Sequence, residues 1–135
     1  MAFLRSMTVL QVRDVTASIA FYKALGFNGW GWPDTETGEL VFAIIQRGDV
    51  TIGLQLLRGE PRVNTHWAVY VYVDDVAALH AEFAAQDVDT SELRTDQHYG
   101  CDDFDVRDPD GHLIAFGQDR EPEHGPGLSE RRGRG

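Results

Sequence analysis

Cysteine is nearly absent from this chain: Cys101 is the one thiol among 135 residues. An internal disulfide is therefore excluded, which fits a reducing compartment. Asp102 and Asp103 follow it directly and would raise a thiol pKa, so Cys101 reads as inert or pocket-lining rather than as a nucleophile. Long apolar runs are missing as well. No segment approaches the roughly 18 residues of a membrane span, and the opening MAFLRSMTVL lacks the extended apolar stretch of a secretory signal. The expectation is a cytoplasmic protein with no membrane partner. No Ser/His/Asp constellation and no phosphate-cradling loop offers chemistry of those kinds. Positive charge is also scarce, with 12 Lys and Arg against 22 Asp and Glu and a formal net charge of -10 at pH 7. Acids and arginines cancel within residues 119–135, so the whole excess lies on the preceding part. Such a surface repels nucleic acid and attracts cations, although solubility alone accounts for many acidic surfaces.

What the chain does contain is organised around residues 99–117, YGCDDFDVRDPDGHLIAFG. Phe104 and Val106 alternate with Asp103 and Asp105, Asp108-Pro109-Asp110-Gly111 supplies turn chemistry, and residues 113–116 resume an apolar strand. Alternation buries one face of this hairpin and turns the other toward something polar. Ahead of it, residues 7–12 predict a strand, and Asp14 or Thr16 caps a helix that ends before Gly26. Residues 27–32 form a short strand, and residues 40–46 and 50–57 form a hairpin around Arg47-Gly48-Asp49. After a polar linker the order begins again: a strand over 66–73, a helix capped by Asp74 or Asp75, a connection over 86–97 with one short strand, and the closing hairpin. Val12-Arg13-Asp14-Val15 lies over Val73-Asp74-Asp75-Val76, Tyr22 over Phe83, and Ile52-Gly53-Leu54 over Ile114-Ala115-Phe116. Three correspondences in register indicate duplication.

The duplicated βαβββ pattern, FYKALGF after the first strand, and DFDVRDPDGHLIAFG together resemble the vicinal oxygen chelate superfamily, which includes glyoxalase I, extradiol dioxygenases, fosfomycin-resistance enzymes and bleomycin-resistance proteins. The resemblance spans about residues 5–118. It implies an α+β fold of two tandem modules, about 5–58 and 66–118, whose curved mixed sheets enclose a concave pocket with helices on the convex side. Residues 119–135 are expected to form a disordered tail.

Metal-dependent relatives take ligands from the first and last strand of each module. Carried over by register, those places fall on Met7, Gly53, Ala68 and Ala115, which supply no donor set for zinc, nickel or iron(II). A register slip of two would bring His66 and Gln55 nearer and still leave one good donor. His80 on the second helix, His112 at the turn, His98 and His124 add none. No metal and no cofactor is therefore expected.

If Ala68 faces the hollow, so do His66, Tyr70 and Tyr72, while Trp67, Val69 and Val71 pack beneath the helices. Met7, Val9, Gln11 and Gln55 line the hollow from the first module, and Cys101, Asp103 and Asp105 line it from the second. Trp32 stands at the mouth of the cleft, or else within the sheet or a dimer contact along with Trp30. Rings and carboxylates suit a planar, cationic organic ligand. The Tyr99-Gly100 segment ahead of Val106-Arg107-Asp108-Pro109 is similar to a motif of the bleomycin-resistance branch. That similarity implies stacking by Tyr99, a homodimer, and exchange of residues 2–8 between protomers. The expected function is metal-free sequestration of an aromatic antibiotic of the bleomycin type. The rival is a metal-dependent lyase or dioxygenase built on His66.

Overall fold

The computed structural model describes residues 1–95 and 100–120. Two short helices and seven strands follow one another as β1 (Thr8–Val12), α1 (Val15–Ala24), β2 (Asn28–Pro33), β3 (Leu40–Arg47), β4 (Val50–Leu56), β5 (Trp67–Tyr72), α2 (Val76–Ala85), β6 (Cys101–Arg107) and β7 (Leu113–Asp119). The first half forms a four-stranded sheet in the order β1-β4-β3-β2, and the second a three-stranded sheet in the order β5-β7-β6. Within each sheet the first strand runs parallel to the last, and the remaining pairs are antiparallel. This is an α+β fold of two mixed sheets.

The repeat is visible atom by atom at the helix starts. Asp14 caps α1 by accepting from the Ala17 N–H at 3.0 Å, and Asp75 caps α2 by accepting from the Ala78 N–H at 3.0 Å. The chain leaves α1 through Gly26 in the left-handed region and leaves α2 through Asp87, one of the few side chains that tolerate it. The halves differ in their third element. Where the first has the full strand β2, the second has two isolated bridges, Thr90 to Val106 and Arg94 to Asp103.

One core serves both halves. Leu10, Val12, Tyr22, Ile45 and Leu54 meet Val71, Phe83, Phe104, Ile114 and Phe116 in a single cluster of buried side chains. Strand alternation puts these residues under the helices and leaves the opposite face of each sheet open. Among the described residues no helix is long and apolar enough to cross a membrane.

Alternation fails within β5. Trp67 pairs with Leu113 and Val69 with Ile114, so Ala68 is an extra residue in β5. A bulge of this kind lets two residues oppose one and turns the preceding side chain to the other face. Trp67, expected beneath the helices, is thereby moved to the open face beside Tyr70.

Candidate functional site

The open face of the second sheet carries a continuous row of rings. His66 stacks on Trp67 with centroids 4.3 Å apart, Trp67 meets Tyr70 edge-on at 4.9 Å, and Tyr70 meets Tyr72 at 5.1 Å. Tyr70 lies across Gly117, where any Cβ would run into its hydroxyl and ring. Glycine is required there by the close approach of the ring. Tyr72, 58% exposed, ends the row at the surface.

Behind the rings lies an ion-pair network that fixes them. The Tyr70 hydroxyl donates to Asp103 Oδ2 at 2.9 Å, and the Trp67 indole N–H donates to Asp105 Oδ2 at 3.2 Å. Arg94 joins the two carboxylates, its Nε donating to Asp103 Oδ1 at 2.8 Å and its Nη2 to Asp105 Oδ2 at 3.0 Å. Ser91 completes the frame by accepting from the Asp105 N–H at 2.9 Å. Asp103 has no exposed surface, and Arg94 supplies a countercharge to this buried carboxylate.

Asp103 and Asp105 thus stand on the face assigned to them, but their charges are answered from within the protein. They are correctly described as braces for Tyr70 and Trp67 and not as free carboxylates awaiting a cation. Burial pushes the Tyr70 hydroxyl well above the ordinary tyrosine range, helped by hydrogen bonds to Cys101 and Asp103. Burial likewise raises the Cys101 thiol, which donates to Asp119 Oδ1 at 3.3 Å. A buried, protonated thiol is a wall and no nucleophile.

The open face of the first sheet is apolar and unbraced. Trp30 and Trp32 share it with ring centroids 6.1 Å apart, and Trp32 meets Phe42 at 5.9 Å. Beside them a hollow over Gly53 is bounded by Phe42, Met7 and Val9, each with an atom 3.1–3.2 Å from where a Cβ would stand. Trp30, Trp32, Met7 and Val9 remain 38–56% exposed. Trp32 therefore belongs to a strand on the open sheet face. Gln55 is exposed on this face, and with Val9, Gln11, Asn64 and Ala68 it lines a cavity of ≈ 320 Å³ at the seam between β1 and β5. Tyr99 and His98 lie outside the described residues.

A divalent ion does not fit this donor set. Gly53 and Ala115 offer no donor, the thioether of Met7 sits among apolar groups, and Tyr70 covers Gly117. Among the described residues no three His, Cys, Asp or Glu side chains converge as a ligand group. His66 is turned onto Trp67 instead.

Sequence reasoning missed Trp67 and Arg94. The bulge that exposes Trp67 depends on pairing with β7, which one strand's pattern does not carry. Arg94 falls in an irregular connection, and its charge-matching to Asp103 and Asp105 was the only available signal.

Comparison with known proteins places this geometry in context. The family described as "Glyoxalase/Bleomycin resistance protein/Dioxygenase superfamily" matches residues 5–116. A search of curated proteins finds no match. Among solved structures, the chain is similar to a glyoxalase-related enzyme from Clostridium phytofermentans, with a TM-score of 0.72 and 18% identity over 89% of this chain and 98% of that one. It is also similar to the bleomycin-binding protein of bleomycin-producing Streptomyces verticillus, solved with copper(II)-bleomycin: the TM-score is 0.66 and the identity 25%, over 90% of this chain and 99% of the other. A bleomycin resistance determinant encoded on the transposon Tn5 gives a TM-score of 0.70 at 22% identity, covering 88% of this chain and 100% of that one.

Proposed function

The chain belongs to the glyoxalase/bleomycin resistance protein/dioxygenase superfamily, and from that premise we propose that it is a metal-free binding protein that sequesters a planar aromatic, cationic antibiotic of the bleomycin type. The observation that carries the reading is the unbroken row His66–Trp67–Tyr70–Tyr72 on an open sheet face. Rings held by hydrogen bonds to buried carboxylates lose little freedom when a flat guest stacks on them, so less of the contact energy is lost to ordering. The cationic preference rests on the net charge of -10 acting at long range, since Asp103 and Asp105 are already paired.

Two chains complete the cleft in this reading. Met1, Phe3 and Leu4 precede β1 and are 108%, 93% and 89% exposed, and an apolar segment left in water gains by crossing to a second copy. Trp30 and Trp32 would then face the ring row of the partner. Useful sequestration needs a Kd of about 1 μM, or roughly 8 kcal/mol. Stacking on two or three rings supplies about 2–4 kcal/mol beyond area burial, and a wall contributed by each protomer enlarges the buried area. A cytoplasmic setting is part of the proposal, as the lone thiol asks for no oxidising compartment.

Tryptophan fluorescence during titration with metal-free bleomycin tests this. Saturable quenching with a Kd near or below about 1 μM is expected, and Trp67→Ala should weaken it by about tenfold. An unchanged signal up to tens of micromolar would remove bleomycin as the ligand.

A further inference from the structure

Each hairpin of the repeat leans on the other half's helix, and the two junctions are filled differently. At the first, the turn after β6 is locked to α1 and β1. The Tyr22 hydroxyl donates to Asp108 Oδ2 at 2.9 Å, and His112 Nε2 lies 2.7 Å from the Gln11 carbonyl oxygen, which requires that nitrogen to donate. Asp110 Oδ1 accepts from the Arg13 backbone N–H at 3.0 Å and from its guanidinium at 3.1 Å.

The second junction lacks each of these parts. Its turn is only Gly48-Asp49, between the paired residues Arg47 and Val50. Phe83 stands in the place of Tyr22 and has no hydroxyl, and Asp74 stands in the place of Arg13. Arg47 reaches Glu82 at 2.7 and 2.9 Å and the Leu25 carbonyl at 2.9 Å, so this cation and Glu82 satisfy one another. What remains is a cleft of ≈ 590 Å³ over the core residues Phe27, Val71 and Phe116, lined by the half-buried Val50, Val73 and Leu79, with the exposed Asp49 and Asp74 at its edge. Neither Asp49 nor Asp74 has a hydrogen-bond or ion-pair partner among the described residues. The volume falls in the range of small-molecule sites.

We propose that this cleft is a second ligand site, separate from the open sheet faces, for a compact organic cation with an apolar body. The cationic head takes the role that Arg13 plays at the filled junction, beside Asp49 and Asp74, and the body covers Val50, Val73 and Leu79, the half-buried apolar part of the lining. Neither partner of the Arg47–Glu82 pair is displaced. The proposal does not depend on the identity of the ligand at the ring row.

Benzamidinium is a suitable probe, titrated into the whole chain with detection by NMR of the Leu79 and Val71 methyl groups. Saturable shifts with a Kd of about 1 mM or below are expected, with neutral benzamide at least tenfold weaker. Asp74→Arg installs the missing cation and should weaken benzamidinium at least tenfold, and the isosteric Asp49→Asn should weaken it severalfold. Equal binding of benzamide, unaltered affinity in both variants, shifts confined to Trp67 and Tyr70, or no saturation by 10 mM (about 3 kcal/mol) would each overturn the proposal.

Discussion

The two open sheet faces are built from similar residues and held in different ways. On the second sheet every ring of the central pair is tied to a carboxylate and each carboxylate to Arg94. On the first, Trp30 meets Trp32 and Trp32 meets Phe42, and neither indole has a hydrogen bond among the described residues. A braced face presents one fixed surface. An unbraced one leaves its side chains free to change rotamer. The difference teaches that buried polar groups can hold an exposed row of rings in place from behind.

Removing the brace gives the largest expected effect. Arg94→Leu removes the guanidinium that bridges Asp105 and Asp103, the second of which has no exposed surface. The expected loss is about 2–3 kcal/mol of unfolding free energy in urea melts, below the full cost of an orphaned buried charge because Arg94 is itself 34% exposed. Trp67 emission should shift as well, since its indole loses a fixed acceptor. A change under about 0.5 kcal/mol would mean that the network is ornamental.

Gly117→Ala comes next. The new methyl group collides with the Tyr70 ring and hydroxyl, so the ring must leave the sheet and its bond to Asp103 must break. Overpacking of this kind costs about 1–3 kcal/mol, read as a lower Tm and as weaker stacking at the same site. The matching substitution on the other face should be nearly silent. At Gly53→Ala the nearest atoms to the new methyl group are side-chain atoms of Phe42, Met7 and Val9 at 3.1–3.2 Å, on a face where Met7 and Val9 are exposed and can give way. Its expected effect is within about 0.5 kcal/mol of zero in the same melts. Similar costs for both glycines would erase the distinction between a fixed and an adaptable face.

Much of this architecture was legible beforehand. The caps at Asp14 and Asp75, the turn at Asp108-Pro109-Asp110-Gly111 and the alternation of Phe104 and Val106 against Asp103 and Asp105 are local signals, and local chemistry decides them. The site was less legible because its deciding contacts join distant parts of the chain. Trp67 changes face through pairing with β7, and Tyr70 lies flat because residue 117 has no side chain. Asp103 and Asp105 look like a solvated acidic strand until Arg94, from a segment without periodicity, is placed between them. Composition revealed rings and acids; it did not reveal that the acids are attached to the rings.

The extra residue in β5 has a consequence for how such a surface is acquired or lost. Three residues apart on an unbroken strand, Trp67 and Tyr70 would point to opposite faces, and the bulge at Ala68 puts both on one face with ring centroids 4.9 Å apart. Excision of this one small alanine would leave Trp67 two residues from Tyr70 on a regular strand and so still on its face, whereas Ala68 kept in unbroken register with β7 would send the indole back among the helices. In this molecule pairing register, as much as the choice of side chains, decides which rings stand on the open face.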